Sequence, residues 1–362
     1  MIIKANDLNR QYELYKDEYE KAALRTLRSG WFILGNELMA FEEEFADYTG
    51  SSNCIGVASG LDALVLGFRL LGVGSGDEVI VASNAYIACV MGITLNGGKP
   101  VFVEPDESFN IDPDIIESAI TKKTKAILAV HLYGAPCNMQ RITCIAEKYD
   151  LFVIEDCAQA HGTESDGNRV GSFGSIGCFS FYPTKTLGSF GDGGAIITNN
   201  EEIANNARIL RNYGSDKKYY FSEIGMNSRL DEIQAALLRV KLSHVDVLIC
   251  DHRRIAADYL SKINNQLITL PKNVSGHTWH QFVVRTDRRN ELKEYLELNG
   301  IGSDIHYPIP PHLSKAYRFL GFAEGDFPLA EKYSREVLSL PIFVGMTAEE
   351  QDYIVDVLNK WR

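Results

Sequence analysis

The chain has 362 residues, 45% hydrophobic and 23% charged, and its 36 basic and 48 acidic side chains give a net charge of −12. Single cores stop growing at about 250–300 residues, so this length predicts two lobes, and the acidic balance argues against a nucleic-acid backbone as the main partner. No apolar run is long enough to span a bilayer and no signal-peptide core opens the chain, while the seven scattered cysteines lack zinc-site spacing; a reduced, cytoplasmic protein without metal is expected.

Apolar residues at helical spacing between Leu14 and Leu27 predict a first helix, and ELMAFEEEFADYTG a second, closed by Gly50. From Cys54 the chain alternates. CIGVA, DEVIVAS, KPVFVEPD, KAILAVHLYG and LFVIEDC read as strands. SGLDALVLGFRLLGV, NAYIACVMGITLNG, DPDIIESAIT and MQRITCIAEKYD read as the helices between them. The strands are continuous apolar runs, as in a mostly parallel sheet covered on both faces, so the fold class is α/β. IGCFSF and AIITN add two strands, and EEIANNARILRNYG another helix. SRLDEIQAALLRVKLSHVDVLICDHRRIAADYLSKI reads as one long helix or two nearly continuous ones. The remaining chain mixes short strands and helices. The expected division is a large domain over residues 1–245 and a small α+β domain over residues 246–362.

Four constellations fall at predicted strand ends. VIEDCAQAHG brings Glu155 and Asp156 to the end of a strand, where ligands gather in open α/β sheets; a helix cap or a salt-bridged loop acid is the plainer reading. Lys185, in SFYPTKTLGSFGDGG, sits in a glycine-rich loop between two strands. It is either a solvated lysine or an amine nucleophile, and the latter needs its pKa brought down from about 10.4. In ASGLDALVLGF a strand runs into Ser59-Gly60 and a helix begins, which makes either a phosphate cradle or an ordinary cap from Ser59 to Asp62; Ser180 offers a further hydroxyl there. Tyr86 opens a helix, as a core ring or as a surface for stacking a flat ligand. A phosphate cradle, a stacking ring, an acid and a lysine near one sheet edge are the contacts that pyridoxal phosphate needs.

FSFYPTKTLGSFGDGGAIITN, EDCAQAHG and GMNSRLDEIQAALL resemble the sugar aminotransferases of the DegT/DnrJ/StrS family, and the likeness runs over nearly the whole chain. The resemblance implies the aspartate-aminotransferase fold (fold type I), with a large domain on a mixed, mostly parallel sheet and a small C-terminal domain. It implies pyridoxal 5'-phosphate as cofactor, with Lys185 as the Schiff-base lysine and Asp156 as partner of the pyridine nitrogen. By the same resemblance Gln159 is expected near the phenolic oxygen, Tyr86 to stack on the ring, and Gly60, Leu61 and Ser180 to meet the phosphate. Asn227 matches an asparagine that reaches the phosphate of the neighbouring subunit, which implies a homodimer with shared sites. Related sugar 3-dehydratases carry histidine where this chain has Lys185, so transamination is expected, from L-glutamate to a nucleotide-linked keto-sugar. ASGLDAL, SNAYIA and IHYPIPPHL look most like enzymes acting on dTDP-3-keto-6-deoxyhexoses. 4-Keto-sugar or cyclitol aminotransferases and an inactive regulatory protein of the same fold are the alternatives. His306, Tyr307, Tyr182, Tyr219 and Arg229 are candidate substrate contacts; His161 is expected to be structural, and Lys217 and Lys218 solvated.

Overall fold

The computed structural model describes residues 1–362. A seven-stranded sheet organises the larger part. Its strands are β1 (Asn53–Val57), β2 (Glu78–Ala82), β3 (Lys99–Val103), β4 (Thr124–Val130), β5 (Phe152–Asp156), β6 (Ile176–Ser180) and β7 (Gly194–Thr198). Their order is β1-β7-β6-β5-β4-β2-β3. β6, β5, β4, β2 and β3 run parallel, and β7 is antiparallel to both its neighbours. The sheet is therefore mixed and mostly parallel.

Continuous apolar strands arise because each face has its own core. In β2, Val79 and Val81 join one core while Ile80 and Ala82 join another, and in β4 Ala126 and Leu128 part from Ile127 and Ala129 in the same way. Side chains alternate across a strand, so a sheet covered on both sides is apolar along the middle of its strands, and polar residues such as Glu78, Asp156 and Ser180 stand at strand ends. Helices α4 (Gly60–Leu70) and α5 (Ile87–Thr94) cover the first face; α6 (Pro113–Ala119) and α7 (Met139–Tyr149) cover the second. At the β1 end, α3 (Asn36–Thr49) and α9 (Glu232–Leu242) pack over β6 and β7. The helix predicted over Leu14–Leu27 is α2 (Lys16–Ser29), and a separate α1 (Leu8–Leu14) precedes it, divided from it at Tyr15, which leaves helical geometry at φ −129°.

The long helical stretch is also two helices. α9 ends at Leu242, and α10 (Val245–Lys262) starts after Ser243 and His244. α10 gives Val245 and Ile249 to the core beneath α3, and Ile255, Ala256 and Tyr259 to another core built from Ile3 and residues up to Trp361. That second core surrounds the antiparallel pair β8 (Phe282–Arg285) and β9 (Val337–Leu340), with α11 (Arg289–Leu298) and α13 (Ala348–Lys360). α8 (Glu201–Leu210) and α12 (Pro328–Glu336) are the remaining α-helices. No helix is long and apolar enough to cross a membrane.

Candidate active site

The parallel strands end together, and the site is assembled on their carboxyl edge. β5 delivers Asp156, whose buried carboxylate is fixed from two elements: the Ala158 N–H donates to Oδ1 at 3.0 Å, and the Cys89 thiol on α5 donates to Oδ2 at 3.0 Å. Gln159, also buried, accepts the Tyr133 N–H at Oε1 (2.7 Å) and donates from Nε2 to the Tyr307 hydroxyl (3.1 Å). Tyr133 has φ +61°, a left-handed backbone that disfavours a residue with a side chain. The bond to Gln159 and one from its hydroxyl to the His306 carbonyl hold it there. The Tyr307 ring lies 4.8 Å from that of Tyr86, tilted by 31°.

His306 is oriented by both nitrogens. Gln281 Nε2 lies 3.1 Å from Nε2 and donates to it, so Nδ1 carries the proton and gives it to Ser339 Oγ at 2.8 Å. Burial lowers the His306 pKa to about 4 and that of His161 to about 3, and it holds His280 well below the ordinary histidine range. The charge of Lys185 adds to each of these shifts, and all three imidazoles are neutral near neutral pH. Lys185 itself is half-buried, and its N–H donates to the Tyr182 carbonyl at 2.8 Å. Burial brings its amine down to about 8, against the opposing pull of Asp156 and Cys89. A neutral fraction is thus available near neutral pH, where an ordinary lysine has almost none. Beside it a cavity of about 90 Å³ is lined by Thr184, His280, Gln281, Asp304, His306 and Ser339 among others.

The other end of the site is built around the start of α4. Ser59 caps the helix, its hydroxyl accepting the Asp62 N–H at 3.1 Å. The reciprocal half of a capping box is missing, because the Asp62 carboxylate takes the Ser228 hydroxyl at 2.7 Å instead. The N–H groups of Gly60 and Leu61 meet no acceptor in the chain. Two glycines let the strands and this turn close up: a Cβ on Gly60 would stand 2.5 Å from that of Ser180, and one on Gly194 would strike the Ser59 carbonyl. Ser180 ends β6 directly beside the two free N–H groups.

Asp156, Gln159, Tyr86, Tyr307, His306 and Lys185 are therefore drawn together, as are Gly60, Leu61 and Ser180. Tyr86 is the N-cap of α5, and the helix predicted from Asn84 begins at Ile87. Tyr182, Tyr219 and Asn227 lie exposed, and apart from the Tyr182 carbonyl, which accepts the Lys185 N–H, none of them is hydrogen-bonded to the groups around Asp156. Arg229 donates from one terminal nitrogen to Asn212 Oδ1 at 2.9 Å, Lys217 and Lys218 lie over Tyr220 and Tyr219, and His161 packs between Phe179 and Phe181. Cys89, Tyr133 and Gln281 were not singled out by sequence reasoning. Cys89 lies three residues after Tyr86 in an apolar helix, where cysteine reads as a small hydrophobe.

These donors fit pyridoxal phosphate. Two unpartnered N–H groups at a helix N-terminus with a neighbouring hydroxyl suit a phosphate. A buried carboxylate suits a protonated ring nitrogen, and a neutral lysine suits an aldehyde. A buried trio of His131, Glu155 and Cys157 has metal-ligand atoms but is already satisfied: Glu155 accepts the N–H groups of Gly171, Phe173 and Gly174, and His131 accepts that of Cys137.

The profile of the DegT/DnrJ/EryC1/StrS aminotransferase family matches residues 14–359. A dTDP-3-amino-3,6-dideoxy-alpha-D-galactopyranose transaminase of Aneurinibacillus thermoaerophilus is 51% identical over 98% of both chains. A dTDP-3-amino-3,4,6-trideoxy-alpha-D-glucose transaminase of Streptomyces venezuelae is 45% identical, over 98% of this chain and 95% of its own. Among solved structures, S. venezuelae DesV in complex with a ketimine intermediate superposes with a TM-score of 0.97 at 45% identity, covering 99% of this chain and 98% of that one. Bacillus subtilis ntda with bound cofactor pmp gives 0.88 at 33% identity, over 94% and 80%. The fold is the fold type I aminotransferase architecture. The chain belongs to the DegT/DnrJ/EryC1/StrS aminotransferase family and is a pyridoxal phosphate-dependent transaminase.

Proposed function

We propose that the protein transfers the amino group of L-glutamate to C3 of a dTDP-linked 3-keto-6-deoxyhexose. The observation that carries this reading is the 51% identity, end to end, with a relative named for a dTDP-3-amino-3,6-dideoxy sugar. The proposed roles follow from the geometry. Gly60 and Leu61 N–H with Ser180 hold the phosphate, Asp156 keeps a proton on the ring nitrogen, Gln159 donates toward the phenolic oxygen, and Tyr86 covers one face of the ring. Bound there, the cofactor carries the nitrogen between substrates and takes up the electron pair left when a C–H bond breaks. Lys185 Nζ takes the proton from the carbon of glutamate that bears nitrogen and, in the second half of the cycle, delivers one to C3 of the sugar. The three neutral imidazoles do not compete for these protons, because burial holds their pKa values well below that of the amine. His306, with Nδ1–H committed to Ser339, and Tyr307, committed to Gln159, present the sugar with a fixed wall, with Tyr182, Tyr219 and Arg229 as outer contacts.

In this reading the enzyme is a cytoplasmic homodimer that divides near residue 245, with Asn227 completing the partner's phosphate site. Around Asn227 the chain exposes Tyr220 at 63%, Phe221 at 64% and Ile224 at 89%, an apolar surface that needs a cover. The test is turnover: with glutamate and a dTDP-3-keto-6-deoxy sugar the protein is expected to release 2-oxoglutarate and place nitrogen at C3. Turnover of only the 4-keto isomer or a cyclitol ketone overturns the substrate. No visible absorbance and no turnover would leave the regulatory reading.

A further inference from the structure

Lys241 of α9 is a lysine without a carboxylate. It is 2% exposed, yet its Nζ makes no ion pair. Instead it reaches three neutral oxygens: Gln11 Oε1 at 2.9 Å, the Gly188 carbonyl at 3.2 Å and the Lys185 carbonyl at 3.4 Å. An ammonium has three donors, and three acceptors surround this one. Burial lowers its pKa to about 7 with no charged partner to restore it. Keeping an unpaired lysine in such a place is costly, and a leucine or methionine would fill the volume without that cost. The contacts indicate what offsets it.

The two carbonyls belong to the loop that carries the reactive lysine. That loop is closed at its base, where the Ser189 N–H and hydroxyl both donate to the Phe181 carbonyl at 2.8 and 2.7 Å. Within it, the Lys185 N–H is held by Tyr182. No main-chain N–H donates to the carbonyl of Lys185 or of Gly188, and Lys241 is the donor to both. Buried Leu187 and the Phe190 N–H, which donates to Gln234 Oε1 at 2.9 Å, also anchor the loop, but neither contact reaches the carbonyls of residues 185 and 188.

We propose that Lys241 is a positioning residue for Lys185: it clamps the carbonyls of residues 185 and 188 and ties them, through Gln11, to α1. Its amine does not touch the reacting atoms. It fixes the Cα from which the Lys185 amine enters the buried space beside Asp156, and so keeps that amine desolvated and reactive. The proposal rests on Lys185 being the reactive lysine, and its test does not require turnover.

The experiment is pH-dependent acylation of Lys185 in the cofactor-free protein, read by peptide mass spectrometry, for wild type, Lys241→Met and Gln11→Leu. Folding is monitored by circular dichroism, and pyridoxal phosphate affinity is titrated by visible absorbance. In Lys241→Met the labelling midpoint of Lys185 is expected to rise by about one pH unit toward an ordinary lysine, with cofactor affinity down about tenfold. Gln11→Leu, which removes one acceptor from half-exposed α1, is expected to shift the midpoint in the same direction by less. Folded variants that keep both the wild-type midpoint and the wild-type affinity overturn the proposal. If Lys241→Met does not fold, Gln11→Leu decides: a raised midpoint supports the clamp and an unchanged one overturns it. A wild-type protein that binds no cofactor would instead remove the reading on which the proposal rests.

Discussion

The two ends of the site, proposed to take the ring and the phosphate of the cofactor, are finished differently. At the ring end, Asp156, Gln159, Tyr133, Tyr307 and His306 satisfy one another inside a single chain, and even the strained backbone of Tyr133 is secured by two hydrogen bonds. At the phosphate end, the N–H groups of Gly60 and Leu61 have no partner, and Asn227 lies exposed among apolar side chains. The ring end is preformed, because a buried carboxylate and amide must be hydrogen-bonded before any ligand arrives. The phosphate end can wait, because water serves a helix N-terminus until a phosphate or a neighbouring subunit replaces it.

This contrast orders the expected effects. Lys185→Ala removes the one group without a substitute, and turnover is expected to fall about a thousandfold or more, measured by 2-oxoglutarate release; a fall of less than tenfold would sink its catalytic role. Asp156→Asn keeps the shape of the ring end but removes its charge. It is expected to cost about 1.5–3 kcal/mol of interaction with a protonated ring nitrogen, seen as a loss of visible absorbance and of turnover together. Gly60→Val forces a branched side chain into the space of Ser180, whose Cβ lies 2.5 Å from where the new Cβ must stand, so the cradle must open. Cofactor affinity measured by titration should drop about tenfold while thermal stability changes less.

A subunit-mixing experiment sharpens the comparison further. If Asn227 serves the partner's site, Lys185→Ala and Asn227→Ala protomers mixed and re-equilibrated should regain about a quarter of wild-type activity, since half the dimers are mixed and each holds one intact site. No regain would confine the whole site to one chain. The smallest effect is that of pH. The Lys185 amine is lowered to about 8, so the neutral form grows as pH rises and the charged form returns as pH falls. The rate at which cofactor-free protein captures pyridoxal phosphate should therefore climb through about pH 8 and level off above it. A rise delayed to the ordinary lysine range would mean that the amine is solvated.

Much of this was legible in the chain. The alternation from Cys54 to Asp156 pointed to the parallel sheet because each of its strands is apolar on both faces. Lys185, Asp156 and the Ser59-Gly60 turn stood out because strand ends in such a sheet gather ligands, whereas Gln159 entered only through the family resemblance. The residues that complete the ring end were hidden by their neighbours. Cys89 sits in IACV and Tyr133 in HLYG, where apolar burial explains them equally well, and Gln281 is one amide in HTWHQFVV. Lys241, in LLRVKLSH, reads as the polar side of a surface helix.

The amino-acid sequence by itself determined the strand and helix alternation, the family, and the short-range pieces of the site, because side-chain period and local turn chemistry depend on near neighbours. Only the tertiary structure decided which of those pieces meet. Asp156 and Cys89 are 67 residues apart, Gln159 and Tyr307 are 148, and Lys241 lies 56 residues beyond the carbonyl of Lys185. Contacts over such separations are fixed by sheet order and core packing. Whether a lysine is solvated or reactive depends on the dielectric that those contacts create around it.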